Sequence, residues 1–198
     1  MTPTAGEFVN SGQALSLSLA INQSPRESDV LFQAEALGGL INLRCRPASG
    51  VFSRVAKELA LTPDGPNRVV SNEDLTCLWV GPDEWLLACA DSAVAHLLAR
   101  LNAMAGVEHV AATDVSDQYA VIKVAGQRAI DLLRRGCTLD LHPKVFMPGQ
   151  CARTAFAQAT VLLHLIDAAP TFLLYTARSF APYVWEWLAD AAARRDPP

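Results

Sequence analysis

The chain has 198 residues, 51% hydrophobic and 18% charged, enough to bury about 70% of the surface of its unfolded form in a compact core. The 16 Lys and Arg against 20 Asp and Glu give a net charge of −4, with no basic cluster and no aromatic–basic interleaving, so a nucleic-acid partner is not expected. No apolar stretch reaches the roughly 18 residues that cross a bilayer, and residues 1–25 lack the cationic start of a signal peptide, so a cytoplasmic protein with no membrane partner is expected.

The ends read as loose. Residues 1–28 are rich in Thr, Ser, Gly, Asn and Gln, with one short apolar run from Ala14 to Ile21, and residues 194–198 form a charged, proline-terminated tail. Between them Val51, Phe52, Val55, Ala56 and Leu59 recur at helical spacing, which predicts a helix over 50–60 closed by Thr62-Pro63-Asp64-Gly65-Pro66. Two apolar runs, Leu75 to Val80 and Trp85 to Ala90, flank the turn composition Gly81-Pro82-Asp83-Glu84 and predict a hairpin. Asp91 is placed to cap a helix that carries Val94, Leu97, Leu98 and Leu101 on one face and fades at Gly106.

The second half opens with Val110 to Val115, a polar turn at Ser116-Asp117-Gln118, and a strand in which Ala120, Ile122 and Val124 share a face. A helix over 127–135 follows, with Gly136 suited to a left-handed position just past its end. A loop from Leu141 to Gln150 leads to three strand-like runs, Cys151 to Phe156, Thr160 to Ile166 and Phe172 to Thr176, with a hairpin at Asp167 to Thr171. In the last helix Phe180, Tyr183, Val184, Trp187, Leu188 and Ala191 form a stripe. Residues 29–107 and 108–193 share one order of elements, which suggests duplication. The fold class expected is α+β: two tandem, mostly antiparallel sheet-plus-helix halves.

The usual catalytic groups do not assemble in the sequence. Cys45, Cys77, Cys89, Cys137 and Cys151 are odd in number, contain no C-x-x-C pair, and read as structural thiols. His96, His109, His142 and His164 show no metal-ligand spacing. Asp83 and Glu84, Asp114 and Asp117, and Asp140 sit at turns or strand ends, where carboxylates commonly cap backbone groups. No glycine-rich phosphate-binding motif or nucleophile elbow occurs. Of the four tryptophans, Trp79 and Trp85 flank the hairpin turn, Trp187 lies on the helical stripe, and Trp185 lies off it, either marking an interface or covering a loop.

Four stretches together resemble the gamma subunits of bacterial heterotetrameric sarcosine oxidases. They are Leu78-Trp79-Val80-Gly81-Pro82-Asp83-Glu84-Trp85-Leu86-Leu87, Thr113-Asp114-Val115-Ser116-Asp117-Gln118, Gly136-Cys137-Thr138-Leu139-Asp140-Leu141-His142-Pro143 and Arg178-Ser179-Phe180-Ala181. The likeness runs from about residue 30 to 192. It implies a fold related to the folate-binding, aminomethyltransferase-like proteins. It also implies alpha, beta and delta subunits as partners, which hold NAD, tetrahydrofolate, FAD, FMN and zinc, while this chain holds none and has no catalytic residue. The complex would demethylate sarcosine to glycine, with hydrogen peroxide and formaldehyde or methylene-tetrahydrofolate. On this reading Trp79, Gly81, Pro82, Trp85, Asp114, Ser116, Asp117, Gly136, Asp140, Arg178 and Ser179 are signature positions for fold and assembly. The chain departs from the wider folate-binding family in being too short for its C-terminal barrel domain. The alternative is a free-standing folate-binding protein of the aminomethyltransferase type, for which Asp114, Asp117 and Arg178 are the first candidates to hold the ligand.

Overall fold

The computed structural model describes residues 30–35, 38–46, 50–61, 65–104 and 110–194. The expected loose stretch 1–28, the stop signal at 62–64, the fade at Gly106 and His109 lie outside them, as does all but Arg194 of the expected tail. In chain order the elements are β1 (Leu31–Glu35), β2 (Gly39–Cys45), α1 (Val51–Glu58), β3 (Val69–Ser71), β4 (Leu75–Gly81), β5 (Glu84–Cys89) and α2 (Val94–Ala103). Then come β6 (Val110–Asp114), β7 (Tyr119–Ala125), α3 (Ala129–Arg134), β8 (Gln150–Phe156), β9 (Ala159–Asp167), β10 (Thr171–Ala177) and α4 (Ala181–Ala193). The β4–β5 hairpin turns on Pro82 and Asp83, as the composition predicts, and a bulge between Trp79 and Gly81 tightens its twist.

The strands form two antiparallel five-stranded sheets, β3-β4-β5-β2-β6 and β1-β7-β10-β9-β8. These orders make the duplication concrete: β2 to α2 and β7 to α4 run through the same elements, and each sheet is completed by the strand that opens the other repeat. Thus β1 pairs with β7, and β6 pairs with β2. In space the two repeats interlock.

Four layers result. Helices α1 and α2 pack on the outer face of the first sheet through Val55, Leu97 and Leu101, with Leu59 just past the end of α1, and α3 and α4 pack on the second through Leu132, Leu133, Val184 and Leu188. Between the sheets Leu40, Leu78, Leu86, Val121, Leu162 and Tyr175 form a third core. A fully buried leucine such as Leu40 contributes on the order of 2 kcal/mol there. Strand β7 has Ile122 and Val124 against the helices and Val121 against the other sheet, so both its faces are buried, the usual condition of a central strand in a layered sheet.

The structure corrects three sequence expectations. Asp91 does not cap α2: a 3₁₀ turn over Asp91–Ala93 precedes the helix, with Ala93 N–H donating to Ala90 O, and no side chain caps the helix itself. Gly136 is not left-handed. It is needed for space, because a Cβ there would lie 2.8 Å from the Trp187 ring and 3.2 Å from Phe156. Trp185 is not off the buried stripe but on it, 3% exposed, with Ala181, Val184, Leu188 and Ala191, whereas Trp187 is half-buried and Phe180 is exposed before the helix begins. Its partner decides this: Phe32 of the exchanged strand β1 meets the Trp185 ring edge-to-face at 5.0 Å.

Candidate functional site

The most concentrated polar chemistry lies where the two sheets meet. Glu84 opens β5 directly opposite Arg44 of β2 and is only 8% exposed. Its Oε1 accepts from Asn42 Nδ2 at 2.8 Å and its Oε2 from Arg44 Nη2 at 2.9 Å. From the second sheet, Arg153 of β8 reaches the same carboxylate with Nη1 and Nη2, both at 3.4 Å. Arg44 also stands 3.6 Å from Asp83 in the turn. Beside this cluster Arg44, Cys45, Arg46, Asp83, Val110 and Ala111 line an open cleft of about 250 Å³.

Burial by itself would raise the pKa of Glu84. The hydrogen bond from Asn42 and the Arg153 and Arg44 guanidiniums outweigh it and hold the carboxyl below its ordinary range. Glu84 is therefore ionised at neutral pH, a clamp between sheets rather than a group poised to exchange protons. The turn composition that made Asp83 and Glu84 look like ordinary caps concealed this site. The available signal was Asn42 and Arg44 alternating with Ile41 and Leu43 along β2, a polar row on the inner face of an otherwise apolar strand.

A second joint lies at the turn between β6 and β7. Asp114 Oδ1 accepts from the Ser116 backbone N–H at 2.9 Å and from its hydroxyl at 2.6 Å. Ser116 Oγ in turn accepts from Leu40 N–H at 2.9 Å, and Val115 N–H donates to Leu40 O, so the turn holds the start of β2. Arg178, in the 3₁₀ turn ahead of α4, lies 3.9 Å from Asp117 Oδ1 and 3.5 Å from its carbonyl oxygen. Ser179 follows it, exposed. Asp114 and Ser116 thus bind one another, as do Asp117 and Arg178, and the three residues that a folate reading nominates face these partners.

The edges of the two sheets make a third contact. Cys151 of β8 donates from Sγ to Trp79 O at 3.2 Å, its N–H donates to Asn67 O, and Val69 N–H donates to Gly149 O. Burial raises the thiol of Cys151 to about 12, of Cys77 to about 12 and of Cys45 to about 11, so these remain protonated and unreactive at neutral pH.

The other signature positions serve the frame. Trp79 and Trp85 face each other across the hairpin, and Trp85 stacks on Phe52 of α1 with ring centroids 3.7 Å apart. A side chain at Gly81 would make only ordinary contacts with Glu84, so crowding does not explain that glycine. Asp140 Oδ1 accepts from His142 N–H at 2.9 Å and shapes the loop after α3. The hairpin carries Glu84 to the joint between the sheets but turns Trp85 to the helix side, Asp114 to Asp117 and Arg178 meet at the second joint, and Gly136 and Trp185 lie in the helix-side packing; the set does not converge on one pocket. Among the described residues no three His, Cys, Asp or Glu side chains are grouped to hold a metal ion, and no helix is long and apolar enough to cross a membrane. Buried His164, pushed down to about 4 by desolvation, is neutral at pH 7.

Comparison with known proteins gives this frame a family context. The model of the family described as "Sarcosine oxidase, gamma subunit family" matches residues 47–194. A sarcosine oxidase subunit gamma of Corynebacterium sp. (strain P-1) is 30% identical over 177 residues, covering 88% of this chain and 86% of that one. An aminomethyltransferase of Saccharopolyspora erythraea is 30% identical over 121 residues, 61% of this chain and 33% of that one. Among solved structures, a chain of the heterotetrameric sarcosine oxidase from Corynebacterium sp. U-96, in complex with pyrrole 2-carboxylate, superposes with a TM-score of 0.81 at 26% identity, covering 94% of this chain and 97% of that one. The glycine cleavage system aminomethyltransferase T of Bartonella henselae gives 0.59 at 12% identity, over 88% of this chain and 48% of that one, a likeness of fold alone.

Proposed function

The chain belongs to the sarcosine oxidase gamma subunit family, and we propose from this premise that it is the gamma subunit of a heterotetrameric sarcosine oxidase in which it supports assembly without contributing a catalytic group. The observation that carries the reading is the nearly end-to-end match with one chain of the Corynebacterium sp. U-96 enzyme. The geometry is in keeping with it: Glu84, Asp114, Ser116 and Asp117 hold this chain's own strands and turns in place. The partners are alpha, beta and delta subunits carrying NAD, FAD, FMN, zinc and tetrahydrofolate. The assembly oxidises the N-methyl group of sarcosine and reduces dioxygen to hydrogen peroxide. Glycine leaves, and the methyl carbon departs as formaldehyde or passes to tetrahydrofolate as methylene. The expected compartment is the cytoplasm.

The test is to recover the tagged chain from its native extract by sizing chromatography, with absorbance recorded at flavin wavelengths. A yellow assembly of four different chains that oxidises sarcosine is expected. When the chain is omitted from co-expression, the yield of assembly should fall, while turnover per flavin of whatever assembles is kept. A colourless monomer or homo-oligomer overturns the reading.

The likeness to the Saccharopolyspora erythraea aminomethyltransferase favours the second reading, a folate-binding protein acting alone. Titration of the isolated chain with tetrahydrofolate decides it. Saturable binding that is lost in Arg178→Ala supports this alternative, and no heat of binding removes it.

A further inference from the structure

The exposed apolar residues of this chain are gathered rather than scattered. Among the described residues five large hydrophobic side chains are exposed, and four of them, Leu31 (54%), Val145 (55%), Met147 (42%) and Ile166 (43%), lie at one end of the second sheet. The register places them there. Leu31 of β1 is level with Ala125 of β7, Ala125 with Thr171 of β10, and Thr171 with Asp167 of β9, beside Ile166. Farther across, Leu165 of β9 pairs with Gln150 of β8, whose backbone N–H donates to Met147 O. The row crosses all five strands, four spacings of about 4.8 Å or roughly 19 Å in all. Apolar side chains exposed singly are ordinary, whereas a gathering of this width marks a contact surface.

Charge says what kind of surface fits it. Only three lysines occur in the sequence, Lys57, Lys123 and Lys144, and the last two stand at this end. Lys123 shares a face of β7 with Ala125 and is half-buried beside Leu173 of β10, and Lys144 is exposed next to Val145. Neither ammonium has an ion-pair partner among the described residues. Asp167, the carboxylate in the row, holds its own turn: its Oδ1 accepts from the Ala169 and Thr171 N–H groups, both at 3.1 Å. A lysine covered by an apolar partner needs a carboxylate opposite it, because an unpaired ammonium is costly to bury. A second copy of this chain does not supply one. In a two-fold contact the patch would meet itself, setting unpaired lysines on both sides with only Asp167, already bonded in its turn, to face them.

We infer that this end of the second sheet is the surface by which the chain docks on another subunit of its assembly, against an apolar segment that carries Asp or Glu opposite Lys123 and Lys144. Apolar contact through Leu31, Met147 and Ile166 supplies the burial, and the two ion pairs fix the orientation. The inference rests on the reading of the chain as one subunit of a heterotetrameric oxidase and adds where its contact lies.

Lysine footprinting of the unaltered full chain, free and within the co-expressed assembly, tests it. Acetic anhydride acetylates accessible amines, and mass spectrometry reads each of the three sites separately. Lys123 and Lys144 should be labelled several-fold more slowly in the assembly than in the free chain, a slowing that exceeds any at exposed Lys57 on α1. Equal labelling of Lys123 and Lys144 in the two states overturns the inference. A second readout is the full-length Ile166→Asp variant, whose side chain is already exposed, so that circular dichroism of the free chain should not change. Its recovery in the yellow assembly should fall about tenfold or more, as an uncompensated charge set into an apolar contact requires. Undiminished recovery overturns the site while the subunit reading stands. If the unaltered chain enters no assembly, that reading fails and the inference with it. Labelling of Lys123 and Lys144 that slows in the free chain as its concentration rises also overturns it, because the occupant is then a second copy.

Discussion

The two exchanged strands, β1 and β6, occupy equivalent places at the ends of their sheets and are held there by different physics. Strand β1 inserts Phe32 into the helix-side core, where it is buried against Trp185 of α4. Strand β6 buries no side chain completely: Val110 and Ala112 are half-covered where α2 packs on the strand, and the ladder to β2 and the Asp114–Ser116–Leu40 hydrogen bonds at its end supply the rest of its hold. An aromatic anchor shares the cooperative stability of the core around it, whereas hydrogen bonds at a turn act locally and each contributes about 1 kcal/mol net. The same topology is thus closed once around a fully buried aromatic pair and once by partial packing reinforced with polar bonds.

The sharpest way to break this comparison is to remove the aromatic anchor. Trp185→Ala should cost about 3–5 kcal/mol, as large-to-small changes in packed cores do. For a domain of this size that lowers the thermal midpoint by on the order of 10 °C. Trp187→Ala should cost less, because that ring is half-buried. Thermal unfolding followed by circular dichroism measures both, and equal losses would mean that β1 is not held chiefly by Phe32 and Trp185.

The correction at Trp185 shows what local sequence can specify. Along α4 the apolar residues Ala181, Tyr183, Val184, Trp185, Trp187, Leu188, Ala189 and Ala191 nearly encircle the helix, so periodicity alone leaves the buried face open. The face is chosen by partners distant in sequence: Phe32 from the exchanged strand, and the space that Gly136 leaves for Trp187. The β4–β5 hairpin, the repeated order of elements and the family segments were legible because each is local in sequence. The exchange of β1 and β6 was not, since either strand could equally pair within its own repeat by pattern. Glu84 was hidden for a related reason: a carboxylate beside a turn looks the same whether or not an arginine from another sheet reaches it.

The joint at Glu84 allows a test intermediate in size, since it belongs to neither exchanged strand and joins the sheets across the middle. Glu84→Ala should cost about 2 kcal/mol, the loss of charge-assisted hydrogen bonds at a buried acceptor. Arg153→Ala should cost about 0.5–1 kcal/mol, because its contacts are long and its side chain is partly in water. The pH dependence follows from the lowered pKa of Glu84. With the folded pKa below the unfolded value of about 4.3, its contribution is fully present above that value and is lost as pH falls through the folded pKa. Denaturant unfolding between pH 3 and 7 (roughly one pH unit per step) should show a shallower acid-side fall in Glu84→Gln than in the unaltered chain. Parallel curves would mean that the carboxylate is not preferentially charged in the folded state.

The smallest effect belongs to the polar closure of β6. Ser116→Ala removes the acceptor of Leu40 N–H and one donor to Asp114, at a cost of about 1 kcal/mol, or roughly 2–4 °C in midpoint. The distinguishing readout is where the loss is felt. Amide exchange should quicken at Leu40 and along β6, while β1 and the core of the second sheet keep their protection, because a turn bond can open without unpacking a core. Ser116→Thr, which keeps the hydroxyl, should restore most of that protection. If Ser116→Ala instead lowered protection at β1 and β6 alike, the two exchanged strands would form one cooperative unit, and the contrast between an aromatic and a polar anchor would fail.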